Sequence, residues 1–140
     1  DVFGNPSSAH SEGVKSNRMI DRVKKKVSRF IGSNRSKNVY FTSSGSASNT
    51  LGIQGYALAN KCNILYLPTV HKSILKVVDN LAKFYGLSVS ELKVDNYGNI
   101  DVDYLEQILS NSGDTLVIVE YANSEIGTIQ NINNTFEHHA

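Results

Sequence analysis

Apolar residues recur through residues 11–31 at spacings of three, four and six (Val14, Ile20, Val23, Val27, Phe30, Ile31) with charged residues between them. That period predicts a helix with one apolar stripe, and Gly32 supplies its stop. Residues 38–42 (Asn-Val-Tyr-Phe-Thr) are rich in β-branched and aromatic side chains, which predicts a short buried strand running into the small residues 43–46. A helix beginning near Ser46 carries Leu51, Ile53, Tyr56, Leu58 and Ala59, and residues 63–67 form a second strand closed by Pro68. Residues 71–85 form a helix whose apolar set, Ile74, Leu75, Val77, Val78, Leu81, Ala82 and Tyr85, covers a wide face before Gly86 ends it. Residues 88–94 alternate in polarity, as a strand toward a sheet edge does, and residues 96–99 read as a turn. Asp101 can cap a helix burying Leu105, Ile108 and Leu109, after which residues 115–121 predict a fully buried strand.

Strands and helices therefore alternate with short connections. Parallel neighbours need crossovers, so the expected fold class is α/β, a mostly parallel sheet with helices on both faces. Composition narrows the function. A net charge of +1 gives no global field to draw the chain to nucleic acid or an anionic membrane, and the basic run on the first helix reads as a solvated face. No apolar run approaches the roughly 18 to 20 residues that span a bilayer, so no membrane association is expected. The single Cys62 cannot form an internal disulfide, which fits a reducing, cytoplasmic setting, and neither end reads as a natural terminus.

In an open parallel sheet, ligands bind beyond the carboxyl ends of the strands. The positions there are residues 43–48, 69–71 and 122–127. Ser44-Gly45-Ser46 opens a helix, and free N–H groups, a glycine allowing close approach and hydroxyl donors are what a phosphate needs; the alternative is that Ser46 merely caps the helix. It is not a Walker loop, because no Gly-Lys-Ser/Thr follows. His71, between a strand and a helix, is either a cap or an imidazole able to stack on a flat cofactor or move protons, and so is the candidate catalytic residue. Asn123 and Glu125 mark either a turn or a site. His10, His138, His139 and Cys62 lack metal-like spacing, so no metal is expected.

Read together, these places resemble the cysteine desulfurases, pyridoxal 5'-phosphate enzymes of the class V aminotransferase group. The matching stretches are Phe3-Gly4-Asn5-Pro6-Ser7-Ser8-Ala9-His10 with Gly13, Phe41-Thr42-Ser43 leading to Leu51-Gly52-Ile53-Gln54-Gly55, and His71-Lys72. They continue through Val94-Asp95, Gly98-Asn99-Ile100-Asp101 and Asn123-Ser124-Glu125-Ile126-Gly127-Thr128-Ile129-Gln130. The resemblance implies the fold type I large domain of pyridoxal-phosphate-dependent transferases, with residues 1–140 a partial cofactor-binding domain truncated at both ends. It implies that Gly45 and Ser46 hold the cofactor phosphate, that His71 stacks on the pyridine ring, and that Asn123 hydrogen-bonds the ring's 3-oxygen. The implied chemistry is sulfur removal from L-cysteine: the cofactor acts as electron sink, and a mobile cysteine takes the sulfur as a persulfide, leaving alanine. A homodimer, a sulfur-acceptor protein and a place in iron-sulfur cluster assembly follow from the same resemblance.

The chain departs from the family pattern at Ser44, Ala47, Val70 and Ser124, where Gly, Glu, Glu and Asn are usual. It also ends before the family's pyridine-pairing Asp, Schiff-base Lys and nucleophilic Cys, so the chain alone is expected to be inactive. The competing readings are a selenocysteine lyase of the same class, a degenerate, non-catalytic α/β module, and a nucleotide-binding domain. The last is disfavoured because no Gly-x-Gly-x-x-Gly follows the first strand.

Overall fold

The computed structural model of the chain describes residues 2–132. It forms two compact units, Asp1–Thr42 and Ser43–Ala140.

The first unit is built on helix α1 (Ser11–Phe30). His10 caps it: its Nδ1 accepts the Gly13 N–H at 3.2 Å, so this histidine has a structural task. The Asn5-Pro6-Ser7-Ser8 turn folds onto the helix start, with Ser8 N–H donating to Asn5 O at 2.9 Å and Asn17 Nδ2 to Pro6 O at 3.1 Å. A Cβ at Gly13 would collide with the carbonyl oxygen of Ser8 and lie 2.6 Å from that of Asn5, so only glycine lets the turn approach. The helix and its stop agree with expectation, Gly32 lying at φ 72. Its burial does not: the buried positions are Gly13, Ser16 and Ser28, whereas Phe30 and Ile31 are 92% and 64% exposed. The basic side chains of α1 are exposed, as a solvated face requires, apart from the half-buried Lys24, whose ammonium lies 5.6 Å from the Tyr40 ring centroid.

The strand expected over residues 38–42 does not form. A 3-10 turn (Ser36–Asn38) leads into extended chain outside the sheet, with Tyr40 and Phe41 72% and 57% exposed. A strand exists only as part of a ladder, and the described sheet, made of three other segments, does not include this one.

The second unit holds a parallel sheet of β1 (Asn63–Tyr66), β2 (Val89–Glu91) and β3 (Thr115–Ile118) in the order β2-β1-β3. The α/β class with a parallel sheet is thus established. β1 is central, Ile64 facing Val89 on one side and Leu116 on the other. The helical run from Gly45 to Asn60 comprises α2 (Gly45–Asn49), a π-helical turn (Thr50–Gln54) and α3 (Gly55–Asn60). Helices α4 (Lys72–Tyr85) and α5 (Val102–Asn111) follow.

The core contains Ala57, Ile64, Leu65, Leu67, Val78, Leu81 and Leu105. Helix α4 buries Ile74, Val77, Val78 and Leu81, the i, i+3, i+4, i+7 stripe that its sequence predicts. Burying such a side chain is worth roughly 1.5 to 3 kcal/mol. Gly86, at φ 66, ends the helix while its N–H donates to Ala82 O. Asp101 caps α5 by accepting the Tyr104 N–H at 3.0 Å. The strand over residues 115–121 is shorter than expected and only Ile118 is buried, because β3 has a ladder partner on one side alone among the described residues. Cys62 is 3% exposed and free, a small apolar member of the core.

Candidate functional site

Strands β1 and β3 are parallel neighbours, with Tyr66 opposite Ile118, so the segments leaving their carboxyl ends run side by side. One carries His71 to the start of α4, and the other carries Glu120 and Asn123. Their meeting is direct. The His71 N–H donates to Glu120 Oε1 at 2.8 Å, and Asn123 Nδ2 donates to Glu120 Oε2 at 3.0 Å and to Thr69 O at 2.7 Å. Asn123 Oδ1 accepts the N–H groups of Glu125 and Ile126 at 2.9 and 3.0 Å. The Asn123 segment is therefore a turn and is also tied to His71.

His71 caps α4, its Nδ1 accepting the Ser73 N–H at 3.1 Å. That use of Nδ1 leaves the proton of the neutral imidazole on Nε2, and the residue is exposed. Ser73 Oγ, 2.8 Å from the same Nδ1, accepts from Asn49 Nδ2 at 2.9 Å, joining α4 to α2.

Between the helical run and α4 lies a cleft of about 270 Å³ lined by Ser46, Thr50, Gln54, His71, Lys72 and Lys76 among others. Ser46 and His71 thus share one cavity. The cap of the run is Ser44, whose Oγ accepts the Ala47 N–H at 3.2 Å, so Ser46 is not the capping residue. The N–H groups of Gly45 and Ser46 precede any intrahelical acceptor. A Cβ built at Gly45 would meet nothing within 4 Å, so that backbone faces open space. Lys72 and Lys76 form no ion pair among the described residues and give the cleft positive charge. The π-helical turn places Thr50 and Gln54 in the lining.

Of the four departures from the family pattern, two have structural tasks. Ser44 is the cap, and Val70, 4% exposed, is core. Ala47 and Ser124 have none that the structure explains.

A second cluster braces the loop after β3. Gln130, 4% exposed, accepts the Ile100 N–H at 3.1 Å and donates from Nε2 to Gly98 O at 2.7 Å. Thr128 Oγ1 donates to Tyr97 O. Glu120 is hidden in the sequence because a strand expected through residue 121 would place it within the sheet, whereas β3 ends at Ile118 and leaves Glu120 in the loop. An isolated carboxylate directly after a Leu-Val-Ile-Val run was the available signal. Among the described residues no three His, Cys, Asp or Glu side chains group as a metal site, and no helix is long and apolar enough to cross a membrane. His138 and His139 lie outside the described residues.

The aminotransferase class-V family matches residues 1–139. Cysteine desulfurase IscS 1 of Archaeoglobus fulgidus is 37% identical over 134 residues, covering 93% of this chain and 34% of the relative. Cysteine desulfurase IscS of Dictyoglomus turgidum is also 37% identical, over 93% of the chain and 33% of the relative. Among solved structures, a NifS-like protein superposes with a TM-score of 0.87 at 27% identity, over 98% of this chain and 38% of that one. A protein described as SspA in complex with cysteine gives 0.84 at 27%, over 99% and 41%. The chain spans about a third of the length of the curated relatives it matches. These likenesses favour the desulfurase reading over the degenerate module. The chain belongs to the class V aminotransferase family, and the relatives it matches there are cysteine desulfurases.

Proposed function

We propose that this chain is the part of a cysteine desulfurase large domain that receives pyridoxal 5'-phosphate. The observation that carries the reading is the cleft that Ser46 shares with His71, whose backbone is joined through Glu120 to Asn123. The donor set fits the cofactor: hydroxyl, backbone N–H and ammonium groups suit a phosphate, and an exposed imidazole suits a flat ring.

In this reading Gly45 lets the backbone come close to the phosphate, and Ser46 donates to it from its hydroxyl. The His71 ring covers the pyridine face, and its Nε2 proton is available to a reacting substrate. Asn123 is the residue that addresses the ring's 3-oxygen. The cofactor, when bound, supplies an electron sink for the substrate amino acid. In the complete protein the substrate is L-cysteine and the sulfur passes to an acceptor protein. Homodimerisation, a cytoplasmic setting and a role in iron-sulfur cluster assembly belong to the same proposal. Selenocysteine as substrate is the variant that the same residues accommodate.

The 140-residue chain by itself is proposed to be inactive toward cysteine. Its one thiol, Cys62, is buried in the core, and Lys72 is not at the family's Schiff-base position. The test of the reading is binding of pyridoxine 5'-phosphate, which has no aldehyde to react with surface lysines. Saturable binding, weakened about one to two decades by Ser46→Ala, is expected from the loss of a hydrogen bond to a charged group. Absence of saturable binding, or an affinity untouched by Ser46→Ala, overturns it.

A further inference from the structure

The net charge of +1 conceals a division between the two units. Residues 1–42 hold nine Lys and Arg against three Asp and Glu, whereas residues 43–140 hold five against ten. Exposed charges act over about 8 Å at physiological ionic strength, so an approaching ion senses the unit and not the sum. In the first unit the one ion pair among the described residues is Lys15–Glu12.

A cleft of about 270 Å³ opens at the end of α1, lined by Lys25, Ser28, Arg29, Ser33, Asn34 and Ser36, with no carboxylate and no apolar side chain among them. The chain makes this cleft because the helix stops. Gly32 takes φ 72, and the chain turns back so that Ser33 N–H donates to Ser28 O at 2.8 Å while the buried Ser28 Oγ donates to Ser33 O at 2.6 Å. The Ser33 hydroxyl accepts the Arg35 N–H at 3.2 Å. Those contacts use up the floor of the cleft. Four side chains of its lining keep no hydrogen-bond or ion-pair partner among the described residues: the Lys25 ammonium, the Arg29 guanidinium, the Asn34 amide and the hydroxyl of the half-buried Ser36. A cation in a last turn ordinarily answers the negative pole of its helix. Here the carbonyls of Val27, Ser28 and Arg29 already accept the N–H groups of Ile31, Ser33 and Gly32, and the pole amounts to about half a charge against two cations.

We propose that this cleft is an anion site that takes a tetrahedral oxyanion of the phosphate class, free or as the monoester of a small molecule. The Arg29 fork can meet two oxygens at once, and Lys25 adds the second positive charge. The Asn34 Nδ2 and Ser36 hydroxyl are neutral donors. Four donor groups around one cavity suit an anion that presents oxygens in several directions, and two cations suit one that carries two charges. A solvated basic face accounts for Arg18 and Arg22, which lie outside the cleft, and does not account for the convergence at its end. The site is independent of the cofactor reading, which concerns residues of the other unit.

The whole chain is titrated with inorganic phosphate and with glycerol 3-phosphate at physiological ionic strength. NMR of the backbone amides of residues 32–36 separates this site from any phosphate held at Ser46. Saturable shifts of these amides are expected with both probes; tighter glycerol 3-phosphate would identify a monoester site, and equal affinities a site for the free ion. Lys25→Gln and Arg29→Gln are each expected to weaken binding about tenfold, on the order of one hydrogen bond to a charged group, and Asn34→Ala about threefold. Arg29→Lys restores the charge without the fork and should recover part of the loss. Arg18→Gln and Arg22→Gln remove the same charge from the same helix outside the cleft, so each should change affinity less than about twofold, as should Ser46→Ala. Cooperative melting in phosphate-free buffer checks that each variant folds. Absence of saturable shifts in residues 32–36 overturns the proposal. So does an equal weakening by Arg22→Gln, which would mean diffuse attraction to a basic helix. A lower melting temperature with unchanged phosphate affinity in Arg29→Gln also overturns it, leaving that side chain as a partner of the helix pole alone.

Discussion

Ser44 and Ser46 stand two residues apart at the start of one helical run and serve different surfaces. Ser44 Oγ accepts the Ala47 N–H at 3.2 Å and closes the first turn, while Ser46 lines the cleft shared with His71. Their substitutions should separate accordingly. Ser44→Ala is expected to lower stability by about 1 kcal/mol with ligand affinity retained. Ser46→Ala is expected to weaken pyridoxine 5'-phosphate with the melting temperature retained. Paired melts and binding isotherms check both, and a reversal of the two effects would reassign the cap.

His71 combines a cap with an exposed ring, and two substitutions divide them. His71→Asn keeps an N-cap acceptor but has no ring, so stability should hold while ligand binding weakens. His71→Phe keeps a stacking surface but gives up the acceptor for the Ser73 N–H, so stability should fall by about 1 kcal/mol with a smaller loss of affinity. Equal losses of affinity in the two variants would exclude stacking as the role of the ring.

Tyr66 and Glu91 face each other across β1 and β2, the Tyr66 hydroxyl donating to Glu91 Oε1 at 2.8 Å. Burial first, and then the Glu91 hydrogen bond and charge, push the Tyr66 hydroxyl from 10.0 up to about 12. The folded state favours the neutral phenol, so its contribution is complete below pH 10 and is lost as pH rises toward about 12. Chemical denaturation across that window should show stability declining in wild type and a flatter profile in Tyr66→Phe.

Asp95 gives the opposite sign. The Asn99 side-chain amide, followed by backbone N–H groups, holds its carboxyl below the usual carboxylate range. Its contribution is present at neutral pH and is lost as pH falls through that lowered value. Asp95→Asn should be less sensitive to acid between neutrality and that point, as NMR titration and melts can measure.

Gly98 lies at φ 81, and a Cβ there would come within 2.6 Å of Ile126 Cδ1. Gly98→Ala is expected to cost at least about 1 to 2 kcal/mol from the left-handed backbone alone. Gly98→Ala combined with Ile126→Ala should recover only the part that is due to the collision. Full recovery in a double-mutant cycle would show that backbone strain contributes nothing.

Local chemistry alone determined much of this protein. The apolar stripe of α4, its end at Gly86, the Asp101 cap of α5 and the alternation that implies a parallel sheet are set by residues close in sequence. The stretches Phe3–His10 and Asn123–Gln130 were legible for the same reason, and the resemblance they carry points to the family that the comparisons establish. Tertiary structure decided the rest. Residues 38–42 have the composition of a strand, yet a ladder needs a partner that local sequence does not specify. Helix α1 has a clear apolar period, yet its small residues are the buried ones, because burial depends on what packs against a face and not on the period itself. Glu120 lies 49 residues beyond His71 and reaches its N–H only because β3 pairs beside β1 in register, which places the two strand ends together.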